Sequence, residues 1–395
     1  MIVSCIQPDL KSRNQIRCMK TRLLQQIRSI HLPAWLRPWL FILLLTSAYC
    51  AVTLAQHAWD PMAFVLIGRQ YDPLHGSLEA GYDGQFAYQI AQNPAGAAPT
   101  LDVPAYRYQR ILYPLLARVL ALGNAAAIPW MLILINLASL ALGTLATEKI
   151  LAEHGFSRWY ALVYGAFAGM LLALRLDLTE PLAFALVQWG VLYFERGKLW
   201  RSLPLFALAA LTRELTLLFA AACALALFMR GGRCTAAAWG MAAVLPFALW
   251  QIFLRLWLGA WGLQSGGAQA SGFELMPYRG WWGHPSADLR LFVLLSLVVL
   301  LIALLPSAAA IIASLRALKQ GRFGPGVWML LLNALIFPFL PASNVLNLPG
   351  LVRITIGLVV AVVDFGALES SRRALSYSQL WLILLAFGEG FMAVH

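Results

Sequence analysis

The feature that most constrains this chain is a succession of long apolar runs separated by short polar connections, from residue 39 almost to the C-terminus. A helix needs about 20 apolar residues to cross the hydrocarbon core of a bilayer. Runs at 39–58, 128–147, 203–228, 236–258 and 291–315 meet that length, and shorter ones lie between them. Of the 395 residues, 61% are hydrophobic and 12% charged, about half the charged share of a soluble domain. Such a chain has too little polar surface to fold in water, which excludes water-soluble Rossmann and barrel enzymes. The 15 Trp, 12 Tyr and 20 Phe exclude disorder. The expected fold is an all-α polytopic membrane protein with about 11 transmembrane helices.

The net charge of +12 does not point to nucleic acid, because its placement follows topology. All five lysines (Lys11, Lys20, Lys149, Lys198, Lys319) fall in the N-terminal tail or in short connections, the pattern of cytoplasmic loops. Residues 1–37 read as a basic cytoplasmic tail before an uncleaved signal anchor, and 38–395 as one transmembrane domain. Residues 59–110 then form a large first exoplasmic loop with short interfacial helices, and 259–290 a second. On this topology both large loops lie on the outer face of the membrane. The cysteines make no disulfide framework and no zinc spacing.

This topology leaves ten basic residues outside the cytoplasmic segments, and all ten are arginine. Arginine stays charged when partly buried and grips phosphate or carboxylate with two parallel N–H groups. Arg118, Arg255 and Arg290 read as interface anchors. Arg107, Arg110, Arg213 and Arg353 sit beside acids at span ends, where a buried charge is costly and usually functional. Within 203–228, Thr212-Arg213-Glu214 interrupts the apolar pattern. Two half-length helices meeting at a break in the membrane are expected there.

Several polar residues have two readings. Asp83, in Gly81-Tyr82-Asp83-Gly84-Gln85-Phe86, is either a turn residue capping a short helix or a general base. Asp102-Val103-Pro104-Ala105-Tyr106-Arg107-Tyr108-Gln109-Arg110 is either an interfacial belt or a platform for a phosphate headgroup. Glu180 caps a helix together with Asp177, or serves as a second catalytic acid. Arg213 and Glu214 form structural ion pairs, or Arg213 binds phosphate. Arg353 anchors a span or contacts ligand, with the kinked segment 341–350 closing over it. Trp281 and Trp282 are a membrane belt or part of a sugar-binding groove.

The Tyr-Asp-Gly-Gln-Phe motif at 82–86, followed by Arg-Tyr-Gln-Arg-Ile-Leu-Tyr-Pro at 107–114, resembles a family of bacterial membrane proteins linked to cell-surface glycopolymer formation. More loosely it resembles the GT-C glycosyltransferases, including the mannosyltransferases of the glycosylphosphatidylinositol pathway. Leu178-Thr179-Glu180-Pro181 and Leu211-Thr212-Arg213-Glu214 also look family-like. The resemblance implies a polyprenyl-phosphate sugar donor, a glycan or lipid acceptor, a catalytic acid in the first exoplasmic loop, and a place in the inner membrane of a bacterium with the active face outside. Carried onto this sequence, it makes Asp83 and Glu180 the catalytic acids and Arg107, Arg110, Arg213 and Arg353 the donor-phosphate ligands. Tyr82, Gln85, Tyr106, Tyr108, Glu214, Trp281 and Trp282 then line the substrate groove. The motif departs at Ala87, where an aromatic is expected, which leaves Asp83 in place and alters the groove beside it.

No cofactor is expected. Asp60, Asp83 and Glu180 are hard oxygen ligands in type, but no spacing calls for a divalent cation. Two other classes fit the composition. One is a transporter or flippase for a lipid-linked sugar, which is expected to show matched discontinuous helices in two repeats; this chain has one break and no repeat. The other is a non-catalytic subunit of a glycopolymer assembly complex.

Overall fold

A computed structural model describes residues 37–71, 81–267, 274–282, 289–345 and 347–387. The tail expected over 1–37 lies outside these apart from Arg37, as do parts of both expected loops. Every regular element among the described residues is helical. Five helical stretches are long and apolar enough to cross a membrane: Pro38–Gln56, Ala125–Glu153, Arg233–Leu258, Ser296–Lys319 and Leu348–Leu368. Shorter apolar helices stand between them, including Leu199–Thr212, Glu214–Met229 and Pro325–Phe339.

Burial separates the centre of the bundle from its edge. Leu348–Leu368 has 78% of its apolar window inside the protein, against 28% for Arg233–Leu258. The first is therefore a core helix, and the second turns Leu249, Ile252, Phe253 and Leu256 outward, as a lipid-facing surface allows. Leu348–Leu368 packs on Pro325–Ala334 and on Ala168–Arg175, while Glu180–Glu195 packs between Ile128–Glu153 and Leu199–Thr212. A buried polar rung ties these layers: Thr147 Oγ1 donates to Gln188 Oε1 (3.1 Å), and Gln188 Nε2 donates to both oxygens of Asp364 (2.9 and 3.1 Å).

The break expected near Arg213 is present. Leu199–Thr212 ends there, Arg213 is extended (φ −158°, ψ 121°), and a short turn leads into Leu217–Met229. The backbone freed by the break is satisfied locally, since Thr216 Oγ1 donates to the Arg213 carbonyl at 2.8 Å, as an apolar setting requires.

Other boundaries differ from expectation. The helix from Ile128 continues to Glu153 rather than ending at 147, because Glu148 is buried against the bundle and exposed charge begins only at Glu153. The run 159–174 is divided at Phe167, which takes an extended ψ of 132° before Ala168–Arg175 begins. The run 327–340 stops being α-helical after Ala334 and finishes as a tight turn holding Pro338, a residue that cannot continue the ladder. Between the first two long helices lie Met62–Val65, Gly84–Gln92, Pro104–Tyr108 and Leu112–Leu120. This segment supplies Asp83, Asp102, Arg107 and Arg110, half of the charged residues of the polar centre.

Candidate functional site

Two glycines bring the Asp83 segment into place. Gly81 has φ +64°, and a Cβ there would lie 2.4 Å from Gly68 N, so only glycine fits this turn. Gly84 opens the Gly84–Gln92 helix against the hairpin after Arg175, where a Cβ would lie 2.2 Å from Leu176 O. Gln85 Oε1 accepts from Gly68 N at 2.9 Å and Tyr82 N donates to Leu66 O at 3.1 Å, which fixes the strand-like approach to the helix.

Asp83 does sit at the helix N-terminus, but its side chain makes no capping bond. The carboxylate turns to two arginines instead. Arg107 Nη1 donates to Oδ1 and Arg353 Nη1 to Oδ2, both at 2.9 Å. Arg107 is itself gripped by Asp102 through two bonds of 2.7 Å and lies over the Phe86 ring at 4.1 Å. Pro104 at the start of Pro104–Tyr108 suits a first helical turn and aims Arg107 back at Asp102.

Arg353 continues the chain of charges. Its Nε donates to Glu180 Oε1 at 2.7 Å and its Nη1 to the Tyr82 hydroxyl at 3.2 Å. Arg213 Nη1 meets the same Glu180 oxygen at 2.8 Å. Beside this chain, Arg110 makes two bonds to Glu214, of 3.0 and 2.7 Å, and one of 2.9 Å to the Tyr106 hydroxyl. The Tyr106 ring also faces the guanidiniums of Arg107 and Arg110, at 5.0 and 4.7 Å from its centroid. Four carboxylates thus face four guanidiniums, and Arg213 and Glu214, adjacent in sequence, pair with different partners. Burial by itself pushes the Asp83 carboxyl up; Arg107, Arg353 and Arg110 outweigh it and hold it well below the usual carboxylate range.

The centre walls a cavity of about 310 Å³. Tyr82, Asp83, Gln85, Tyr106, Arg107, Arg110, Arg213 and Arg353 all reach it, with Asn344 and Asn347 of the 341–350 segment on the far side. The Asp83 side chain keeps 30% of its surface open, whereas Glu180 keeps none. Asp83 is therefore the accessible acid, and Glu180 is sealed behind Arg353 and Arg213. Neither Glu180 nor Asp177 caps the Glu180–Glu195 helix through its side chain; the residue before the helix is Thr179, and it makes no side-chain cap either.

Some expected groove residues do other work. Tyr108 is buried, donates from its hydroxyl to Pro94 O at 2.8 Å, and receives Trp250 Nε1 on its carbonyl at 2.8 Å. Trp281 donates to Ser296 Oγ at 2.9 Å, Trp282 is exposed, and neither lines the cavity. Gly280 explains their place: it lies flat on the 340–342 backbone, where a Cβ would be 2.2 Å from Leu340 O. Arg118 is not a membrane anchor alone, since its Nη1 donates to the carbonyls of Ala91 and Gln92 (3.0 and 2.5 Å) at the end of Gly84–Gln92. Asp60 accepts locally from Met62 N at 2.9 Å.

Two residues of the centre were not among the expected ligands. Asp102 stands five positions before Arg107, with Pro104 between them, so the pairing arises from a loop closing onto a helix rather than from helical spacing. Phe86 is part of the motif but reads as core until the guanidinium is seen over it. Comparison with family models, with curated proteins and with solved structures yields no match for the chain.

Proposed function

We propose that this chain is a membrane glycosyltransferase that moves a sugar from a polyprenyl-phosphate-linked donor to a glycan or lipid acceptor, with Asp83 as general base. The observation that carries this reading is a partly exposed carboxylate held between two arginines in the wall of a cavity, with further arginines beside it.

The chemistry follows from those groups. Asp83 takes the proton of the acceptor hydroxyl, and the oxygen attacks the anomeric carbon. The bond from that carbon to the phosphate oxygen breaks through an oxocarbenium-like state, and its electron pair stays on the phosphate. Arg107 and Arg353 stabilise the charge that develops there. In the resting centre the same guanidiniums neutralise Asp83. A donor phosphate competes for their N–H groups, so donor binding loosens the hold on Asp83 and makes it more basic.

An apolar groove supports a lipid-linked donor. It measures about 450 Å³ and is lined by Ile111, Leu115, Leu211, Pro246, Leu249, Trp250 and Phe253. Ile111 follows Arg110, and Leu211 lies two residues before Arg213.

The test is product analysis with purified protein in nanodiscs, given radiolabelled polyprenyl-phosphate sugars and candidate acceptors. A transferase releases free polyprenyl phosphate and labels the acceptor. Intact donor appearing in the opposite leaflet of proteoliposomes, with no free polyprenyl phosphate, would instead identify a flippase.

A further inference from the structure

The arginines on both sides of Asp83 are already engaged. Arg107 gives Nε and Nη2 to Asp102 and Nη1 to Asp83. Arg353 gives Nε to Glu180 and Nη1 to Asp83, and Arg110 gives Nε and Nη2 to Glu214. An anion entering the cavity therefore meets guanidiniums whose bonded N–H groups face carboxylates. It also meets phenols in a different state.

Tyr82 and Tyr106 both line the cavity, and each is half-buried. The Tyr82 oxygen accepts from Arg353 Nη1 at 3.2 Å, and its ring centroid lies 5.4 Å from that guanidinium. The Tyr106 oxygen accepts from Arg110 Nη2 at 2.9 Å, with its ring centroid 4.7 Å from that guanidinium and 5.0 Å from that of Arg107. The two phenols thus flank Asp83, because Arg353 and Arg107 hold its two oxygens and each packs on one of the rings. A phenol has one hydrogen to donate as well as an oxygen that accepts. With the oxygen held by a cation, the hydrogen is directed away from the guanidinium, and among the described residues it meets no acceptor. Burial pushes the Tyr82 hydroxyl above its ordinary value, and Arg353 opposes this only in part, so the hydroxyl keeps its proton at neutral pH. Tyr71, a third phenol of the cavity, has its oxygen on the neutral Gln70 amide instead, at 3.2 Å.

A hydroxyl whose oxygen is bound by a cation is polarised by it, and successive hydrogen bonds in such a chain strengthen one another. The acceptor that gains most is an anionic oxygen, since charge-assisted bonds are roughly twice as strong as neutral ones. Phosphate carries several such oxygens on one tetrahedral atom, which suits two donors placed on either side of one carboxylate.

We propose that Tyr82 and Tyr106 determine the specificity of this site for phosphate, each donating its hydroxyl hydrogen to an oxygen of the bound phosphate while its own oxygen stays on Arg353 or Arg110. The choice of phosphate over other anions rests on the sugar transfer proposed above; the donor role of the phenols rests on the bonds just described. The phenols make the first contact and bring the phosphate beside the N–H groups for which it then competes.

Calorimetric titration of the full chain in nanodiscs with a short-chain prenyl phosphate, and separately with inorganic phosphate, tests this without any sugar or transfer. Tyr82→Phe and Tyr106→Phe keep the rings beside the guanidiniums and remove only the hydroxyls. Each should weaken phosphate binding by roughly tenfold or more, the size of a hydrogen bond to a charged group. Whichever probe binds the wild type names lipid-linked or free phosphate as the source. If the hydroxyls only occupied arginine N–H groups, their removal would free those groups for the anion. Binding that is unchanged or tighter in either variant would therefore overturn the role of that tyrosine, and a wild type that binds neither probe would overturn the proposal. Infrared difference spectra of the wild type with ring-labelled tyrosine give a check that needs no substitution: the phenol C–O band should shift on adding the phosphate, and an unmoved band would contradict the contact. Normal sugar transfer with unchanged phosphate binding in both variants would remove this inference alone. Lost phosphate binding in the variants of a protein that transfers no sugar would remove the transfer alone.

Discussion

Asp83 and Asp177 show how one residue type takes opposite states within one centre. Asp83 has guanidiniums on both oxygens and stays ionised. Asp177 has none on either and is pushed towards its neutral form. The signs for stability are opposite as well. A carboxyl held low in the fold stabilises above the unfolded pKa of about 3.9 and loses that contribution only as pH falls below it, so Asp83 adds no slope between pH 5 and 8. A carboxyl pushed up binds its proton more tightly in the folded state. Its contribution is fully present below the unfolded value and falls as pH rises, by at most about 1.4 kcal/mol per pH unit. Thermal unfolding of wild type and Asp177→Asn across pH 5 to 8 measures this. The wild type should lose stability relative to the variant as pH rises, and parallel curves would contradict the assignment.

The residue scale is also where the sequence was least legible. Gln85 and Tyr108 stand in a motif-like stretch and carry polar ends, which fits a groove as well as a core. Only the partners, Gly68 N and Pro94 O, show that both brace the backbone. Gln85 also reaches the cavity, and Tyr108 does not. Asp177 reads as a helix cap beside Glu180, whereas the fold buries it completely. Its burial depends on Gly84, more than 90 positions earlier.

At the scale of elements, the centre is made where helices end. Asp83 precedes one helix, Arg107 lies in the last turn of another, Glu180 opens a third and Arg213 marks the break of a fourth. The break at Arg213 was legible because two charges stood in the middle of an apolar run. The division at Phe167 was not, since no polar residue announces it. Gly84 gives the sharpest prediction at this scale. Gly84→Ala places a methyl 2.2 Å from Leu176 O, with no flexible side chain to yield. The helix must move off the hairpin, costing roughly 1–3 kcal/mol as overpacking does and displacing Asp83 from Arg353. Thermal unfolding in detergent reads the first effect. Unchanged stability would mean that the two segments do not touch as described.

For the whole molecule, the arginines were the strongest guide. Ten basic residues, all arginine, fall outside the connections read as cytoplasmic, and four of them, Arg107, Arg110, Arg213 and Arg353, converge on one cavity. They come from parts of the chain almost 250 residues apart, held by a core helix on one side and short helices on the other. Of the described part of the second loop, Gly267 lines the cavity, whereas Gly280 packs on the 340–342 backbone and Trp281 and Trp282 stay outside the cavity lining. Five helices have the length and apolar character of membrane spans, while the shorter, interrupted ones surround the polar centre.

The central claim is that Asp83 performs the chemistry of a sugar transfer from lipid phosphate. It is tested most directly by donor consumption with purified protein in nanodiscs, comparing wild type with Asp83→Asn at equal folded amounts. Removing a general base lowers turnover by about 10²–10⁴-fold, and the asparagine variant should still bind donor, because all four arginines remain. Turnover that survives the substitution within a few-fold would contradict the assignment of Asp83 as the base.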